Sequence, residues 1–195
     1  TDTKGMLPVF EQVKKMAEGA AIMANVDYKY SLVSGIRETL VNRTGGAVMQ
    51  ENLELLGPLE YTEEEIAFGK KIQEMTDKPQ VGMDSKIYPF EETRENPGGG
   101  STDVGDVSWN VPNINLGVTV APKDTPWHSW AVVACGGMSI GHKGMVMASK
   151  AMSMTMFDLF DDAKLVEEVK IEFKKRKGDD VYKAMIPDGP PPIGN

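Results

Sequence analysis

Histidine and cysteine are nearly missing from this chain: 195 residues carry two histidines and one cysteine. A single thiol, Cys135, excludes an internal disulfide and suits a reducing, cytoplasmic setting. Its flanks, Ala134 and Gly136 after an apolar run, read as a buried inert thiol rather than a nucleophile. Two histidines fall short of a self-contained hydrolytic metal site, which needs three to five His, Asp, Glu or Cys donors. There is no H-E-x-x-H string and no P-loop. No apolar run reaches the length of a membrane span, and no N-terminal stretch reads as a signal peptide. Positive charge is outnumbered, with 21 Lys and Arg against 29 Asp and Glu. The net charge of -8 argues against nucleic acid and against anionic membrane surfaces as partners, and serves solubility.

What is present concentrates between Pro97 and Lys143, which hold both histidines, the cysteine and all three tryptophans. A glycine run at 98–100 leads to Asp103 and Asp106. These aspartates either close a turn on their own backbone or order a neighbouring site. Ile114, Leu116, Val118 and Val120 alternate with polar or small residues, which predicts a strand over 113–120. His128 follows in a loop between Trp127 and Trp130, and His142 falls in the first turn of a predicted helix over 140–160.

Further helices are predicted over 6–24, with Pro8 in the first turn, and over 47–56, 62–76 and 162–177. Thr62 and Glu65 form a capping box for the third of these. The alternation of Val26, Tyr28, Tyr30 and Leu32 predicts a strand, and a short one is expected near 86–90. Met145, Met152, Met156 and Leu159 recur at helical spacing and read as core. The Asn-Arg-Thr-Gly-Gly run at 42–46 reads as a domain boundary, residues 77–105 as a long loop, and the Pro-rich tail as extended. A lone helix and strand cannot bury both apolar faces, so residues 1–41 look like half of a domain. The opening on Thr1 rather than Met reads the same way, as a segment of a longer protein.

The strings GSTDVGDVSWNVP, TPWHSW and IGHKGMVMASK, with KGMLPVFEQVKKMAEGAA, NRT at 42–44 and EEIAFGKKIQ, resemble the C-terminal part of the di-metal aminoacylase/carboxypeptidase family of amidohydrolases. The resemblance runs in order along nearly the whole chain. It implies an α/β fold: residues 42–195 as the C-terminal portion of a zinc-peptidase-like catalytic domain with helices around a mixed sheet, preceded at 1–41 by the remnant of an α+β lid or dimerisation domain. It implies hydrolysis, in the parent protein, of the amide of an N-acyl amino acid or small peptide such as an aminobenzoyl-glutamate, with Zn or Mn as the divalent metal. His128 maps onto the last metal ligand. Asp103, Asp106 and Trp109 would line or buttress the cleft, and Asn42 and Arg43 would stand at the hinge, where Arg43 is suited to grip a carboxylate; Lys143 has a weaker claim of the same kind. The remaining ligands and the catalytic glutamate have no counterpart here. The chain alone is therefore expected to bind metal weakly and to be inactive, with no catalytic residue of its own. The implied partners are a small amide substrate, a second copy and a second hydrolase subunit. The alternative is a non-catalytic interaction or dimerisation module that pairs through Val26–Ser34.

Overall fold

A computed structural model of the chain describes residues 2–90, 100 and 102–189. The glycines at 98 and 99, most of the loop around them and the last residues of the tail lie outside the described residues. Among the described residues seven helices follow in order: α1 (Thr3–Ala24), α2 (Arg43–Leu56), α3 (Glu63–Met75), α4 (Val104–Ser108), α5 (Trp130–Gly136), α6 (Ser139–Asp161) and α7 (Ala163–Lys177). They fall into two compact units. One holds the described residues of 1–41, 96–113 and 173–195, and the other those of 42–95 and 114–172.

In the first unit, Asp2 caps α1 by accepting from the Gly5 amide at 2.7 Å, and Asn25 ends it in the left-handed conformation. Because the helix begins at Thr3, Pro8 lies in its second turn rather than its first. Only Ala21 of α1 is buried, while Val13 and Met16 stay more than half exposed. Phe10 meets Tyr30 edge-on at 6.1 Å, and the Lys14 ammonium lies over both rings. That cluster fastens the 26–34 segment to α1 without covering the apolar face of either.

The second unit has a core of Ile72, Ala131 and Cys135, with Phe68, Ala121 and Ala134 around it. α6 packs on α2 and α5. Asn42 caps α2: its Oδ1 accepts from the Gly45 amide at 2.9 Å and its Nδ2 donates to the Val169 carbonyl at 2.9 Å. α2 thus starts four residues earlier than its apolar spacing predicts. Gly45 is a packing notch inside the helix rather than punctuation. A Cβ there would stand 2.5 Å from Ile114 Cδ1. The capping box of α3 forms as read, with Thr62 and Glu65 bonded reciprocally.

None of the three predicted strands forms a ladder among the described residues. A strand is defined by a neighbour's hydrogen bonds, and alternation in sequence supplies only one side of that pair. α6 departs from its predicted role as well. Met145, Met152 and Met156 are about half exposed or more, because the partners of α6 cover its Ile140, Gly144, Ala151 and Thr155 face instead.

Fully buried Gln73 holds the 82 and 123 turns to α3. It accepts from the Gly82 amide at 2.8 Å and donates to the carbonyls of Lys123 at 3.0 Å and Gly82 at 3.3 Å. Gln73→Leu leaves the Gly82 amide and the Lys123 carbonyl without partners, while the Gly82 carbonyl keeps its bond from the Lys123 amide at 3.3 Å. It is expected to cost about 2 kcal/mol, read as a lower urea midpoint. An unchanged midpoint would show that the turns stand without it.

Candidate functional site

His128 stands where a short loop enters α5. Its φ is 58°, a left-handed conformation that few non-glycine residues adopt. Just after it, Ser129 donates its hydroxyl to the Pro126 carbonyl at 2.6 Å, which tightens the loop. The imidazole is exposed, and Trp127 and Trp130 beside it are 69% and 51% exposed. Large aromatic surface left open around a strained histidine is where a ligand or a further element of protein would sit.

Asn42 and Arg43 belong to the same unit as His128. Asn42 is 3% exposed, with its Oδ1 capping α2 and its Nδ2 bonded to the Val169 carbonyl, so it is a structural group. Glu172 reinforces that cap, because its carboxylate accepts from the amides of Arg43 at 3.0 Å and Thr44 at 2.7 Å. A carboxylate there also meets the positive end of the helix dipole.

Asp103, Asp106 and Trp109 belong to the other unit, around the short α4. Asp103 is exposed, and its carbonyl accepts from the Asp106 amide at 3.1 Å. Asp106 Oδ1 accepts from the Arg37 amide at 3.3 Å. Trp109, 6% exposed, donates its indole N–H to the Glu38 carbonyl at 2.8 Å. Over its ring, at 3.6 Å, lies the Arg37 guanidinium. Arg37 is itself buried and forks onto Asp180 at 2.9 and 3.2 Å. The bond to Asp180 raises the pKa of Arg37 and holds the Asp180 carboxyl below its usual range. Asp106 and Trp109 therefore meet at Arg37, a residue that sequence reasoning missed. The only signal for it is a lone arginine two residues past a glycine.

Lys143 is engaged as well. It donates to Glu65 at 2.6 Å and to the Glu60 carbonyl at 2.8 Å, and lies over the Tyr61 ring at 5.6 Å. Its bond, with those from Ser139 and the Thr62 amide, draws the Glu65 pKa down to about 2. Burial, with the charges of Glu65 and Asp84, pushes the Tyr61 hydroxyl up to about 12. Burial also raises the Cys135 thiol, which is fully enclosed.

Among the described residues, no three His, Cys, Asp or Glu side chains come together as a metal requires. The described donors do not by themselves fit a metal centre. Also among the described residues, no helix is long and apolar enough to cross a membrane.

No protein-family profile and no solved structure matches the chain. Its sequence is nevertheless related to one component of a hydrolase. That relative is the component designated B of p-aminobenzoyl-glutamate hydrolase from Escherichia coli (strain K12), 31% identical over 204 residues that take in 92% of this chain and 42% of the relative. The chain spans less than half the length of the curated relative it matches.

Proposed function

We propose that this chain is the C-terminal portion of a metal-dependent amidohydrolase that cleaves the amide bond of an N-acyl amino acid such as p-aminobenzoyl-glutamate. The kinship to the p-aminobenzoyl-glutamate hydrolase component along 92% of the chain carries this reading. His128 is the one metal ligand we assign to it, facing outward on a strained loop toward donors supplied by other sequence. The metal, Zn or Mn, belongs to the completed site. Asp106 and Trp109 act by fixing Arg37 and the backbone around it, and Arg43 is the candidate grip for a substrate carboxylate. In this reading the ladder partners of 26–34 and 113–120 also come from other sequence and complete an α/β fold with a mixed sheet. A second copy and a second hydrolase subunit are the proposed partners.

A chimera tests this, with the matching 42% of the Escherichia coli relative replaced by this chain. The isolated chain is expected to show no hydrolysis of p-aminobenzoyl-glutamate and, by calorimetry, only weak Zn or Mn binding that disappears in His128→Ala. The chimera is expected to hydrolyse it, and His128→Ala to lower that rate by about a thousandfold or more, as loss of a ligand to a catalytic metal does. A His128→Ala chimera with full activity would defeat the assignment. Tight stoichiometric metal binding with turnover by the chain alone would defeat the reading of it as a portion.

A second reading is favoured by the open 26–34 segment, where Val26 and Val33 are 61% and 75% exposed and no ladder forms among the described residues. It is an interaction module that pairs through that edge. A tight dimer lost on Val33→Pro, together with an inactive chimera, would favour it.

A further inference from the structure

Beside α6 lies a cavity of about 430 Å³ that shares no residue with the His128 loop. It lies wholly within the second unit. Its volume falls in the range of small-molecule pockets, about 300–1,000 Å³. Its walls are mainly apolar: Leu56 from the end of α2, Leu59 from the turn that follows, and Val146 and Met147 from α6. Four-residue steps along α6 put His142, Val146 and Lys150 in one stripe, so a polar or cationic side chain stands at each end of an apolar patch. His142 and Lys150 are exposed and have no ion-pair partner among the described residues. Lys143, the other lysine on the wall, is tied to Glu65 and to the Glu60 carbonyl. Those two hydrogen bonds fix the turn carrying Leu59 and Glu60 against α6, so the cavity is preformed. Among the described residues, the only acid on the wall is Glu60.

We propose that this cavity, with an apolar floor of Leu56, Leu59, Val146 and Met147 and Lys150 at its rim, binds a small amphipathic monocarboxylate. The aryl or alkyl body replaces water over the apolar floor, and the carboxylate pairs with the Lys150 ammonium. His142, at the other end of the stripe, makes a hydrogen bond to a polar group on the body. One unpaired lysine on a long flexible stem suits a single compact anion. A phosphoryl ligand is the poorer fit, because no arginine fork lines the wall.

The test uses the full chain and does not involve turnover, so it stands or falls apart from the reading of His128. Benzoate and hexanoate are titrated by calorimetry and by amide chemical shifts, beside the neutral probes benzamide and hexanamide. The carboxylates are expected to shift amides of residues 56–60 and 142–150, and to bind about tenfold more tightly than the amides, which lack the charge-assisted contact. Lys150→Gln is expected to remove that preference while leaving benzamide binding unchanged. Glu60→Gln is expected to strengthen carboxylate binding about two- to threefold by removing the one repelling charge. Val146→Glu, on an already half-exposed position, is expected to abolish binding of both classes without unfolding the chain. Equal affinity for benzoate and benzamide, an unchanged preference in Lys150→Gln, or shifts clustered elsewhere would each overturn the proposal.

Discussion

Gly105→Ala is expected to destabilise the first unit by about 3 kcal/mol, at the upper end of what overpacking costs. A Cβ built on Gly105 lies 2.0 Å from the Arg37 carbonyl oxygen and 3.1 Å from its carbon, with the Glu38 carbonyl carbon at 3.5 Å. All three are backbone atoms, so no rotamer change relieves the clash, and α4 or the 37–38 segment has to move. Neither moves freely. The Ser108 hydroxyl donates to the Gly105 carbonyl at 2.5 Å and accepts from the Leu40 amide at 2.8 Å. Trp109 holds the Glu38 carbonyl and lies under Arg37, whose fork reaches Asp180. A shift of an ångström strains all of these together. Trp109 reports the result, since it is buried while Trp127 and Trp130 are exposed and can be replaced by phenylalanine. The control is Gly19→Ala in α1, where a Cβ meets nothing within 4 Å. That change is expected to gain about 0.5–1 kcal/mol by helix propensity alone. Equal urea midpoints for the two variants would show that the close approach at Gly105 is not tight in solution.

The helices are the legible part of this fold, and the reason is physical. Thr62 with Glu65, and the apolar spacing of 140–160 and 162–177, are local signals that need no distant partner, and each marks a helix in the structure. The start of α2 escapes sequence reading because Gly45 and Gly46 look like a turn. In the folded chain their lack of a Cβ admits Ile114 and Phe90 side chains, contacts that sequence spacing does not announce. α4 and α5 are too short, at 5 and 7 residues, for their periodicity to show. The methionines of α6 read as core because period alone says that a face is apolar, not that something covers it. The site divides in the same way. His128 is visible as a loop histidine between tryptophans. The tie of Asp106 and Trp109 to Arg37 joins positions about seventy residues apart, and the fork to Asp180 spans 143. No motif encodes such a pairing.

The second large effect is expected where α3 meets α6. Lys143→Met should cost about 2 kcal/mol at neutral pH. Removing one partner of a well-buried ion pair costs about 3–5 kcal/mol, and the Lys143 side chain is 34% exposed against 8% for Glu65, which reduces the loss. The acid left behind keeps its bonds to Ser139 and the Thr62 amide but loses its counter-charge and the link to the Glu60 carbonyl. The pH dependence identifies the cause. Folding holds Glu65 at about 2, while an unfolded glutamate titrates at about 4.3, so folding favours its charged form. Its contribution is therefore fully present above about pH 4.5 and is lost as pH falls toward 2. Lys143→Met raises the folded value toward the unfolded one, so the stability gap between wild type and variant should close across that window. Glu65→Gln should flatten the same stretch of the wild-type curve. In the double variant Lys143→Met with Glu65→Gln, the cost should be well below the sum of the two single costs, because no unpaired charge remains. Additive costs, or a gap constant from about pH 7 to about pH 2.5, would mean that Lys143 acts through packing over Tyr61 rather than through Glu65.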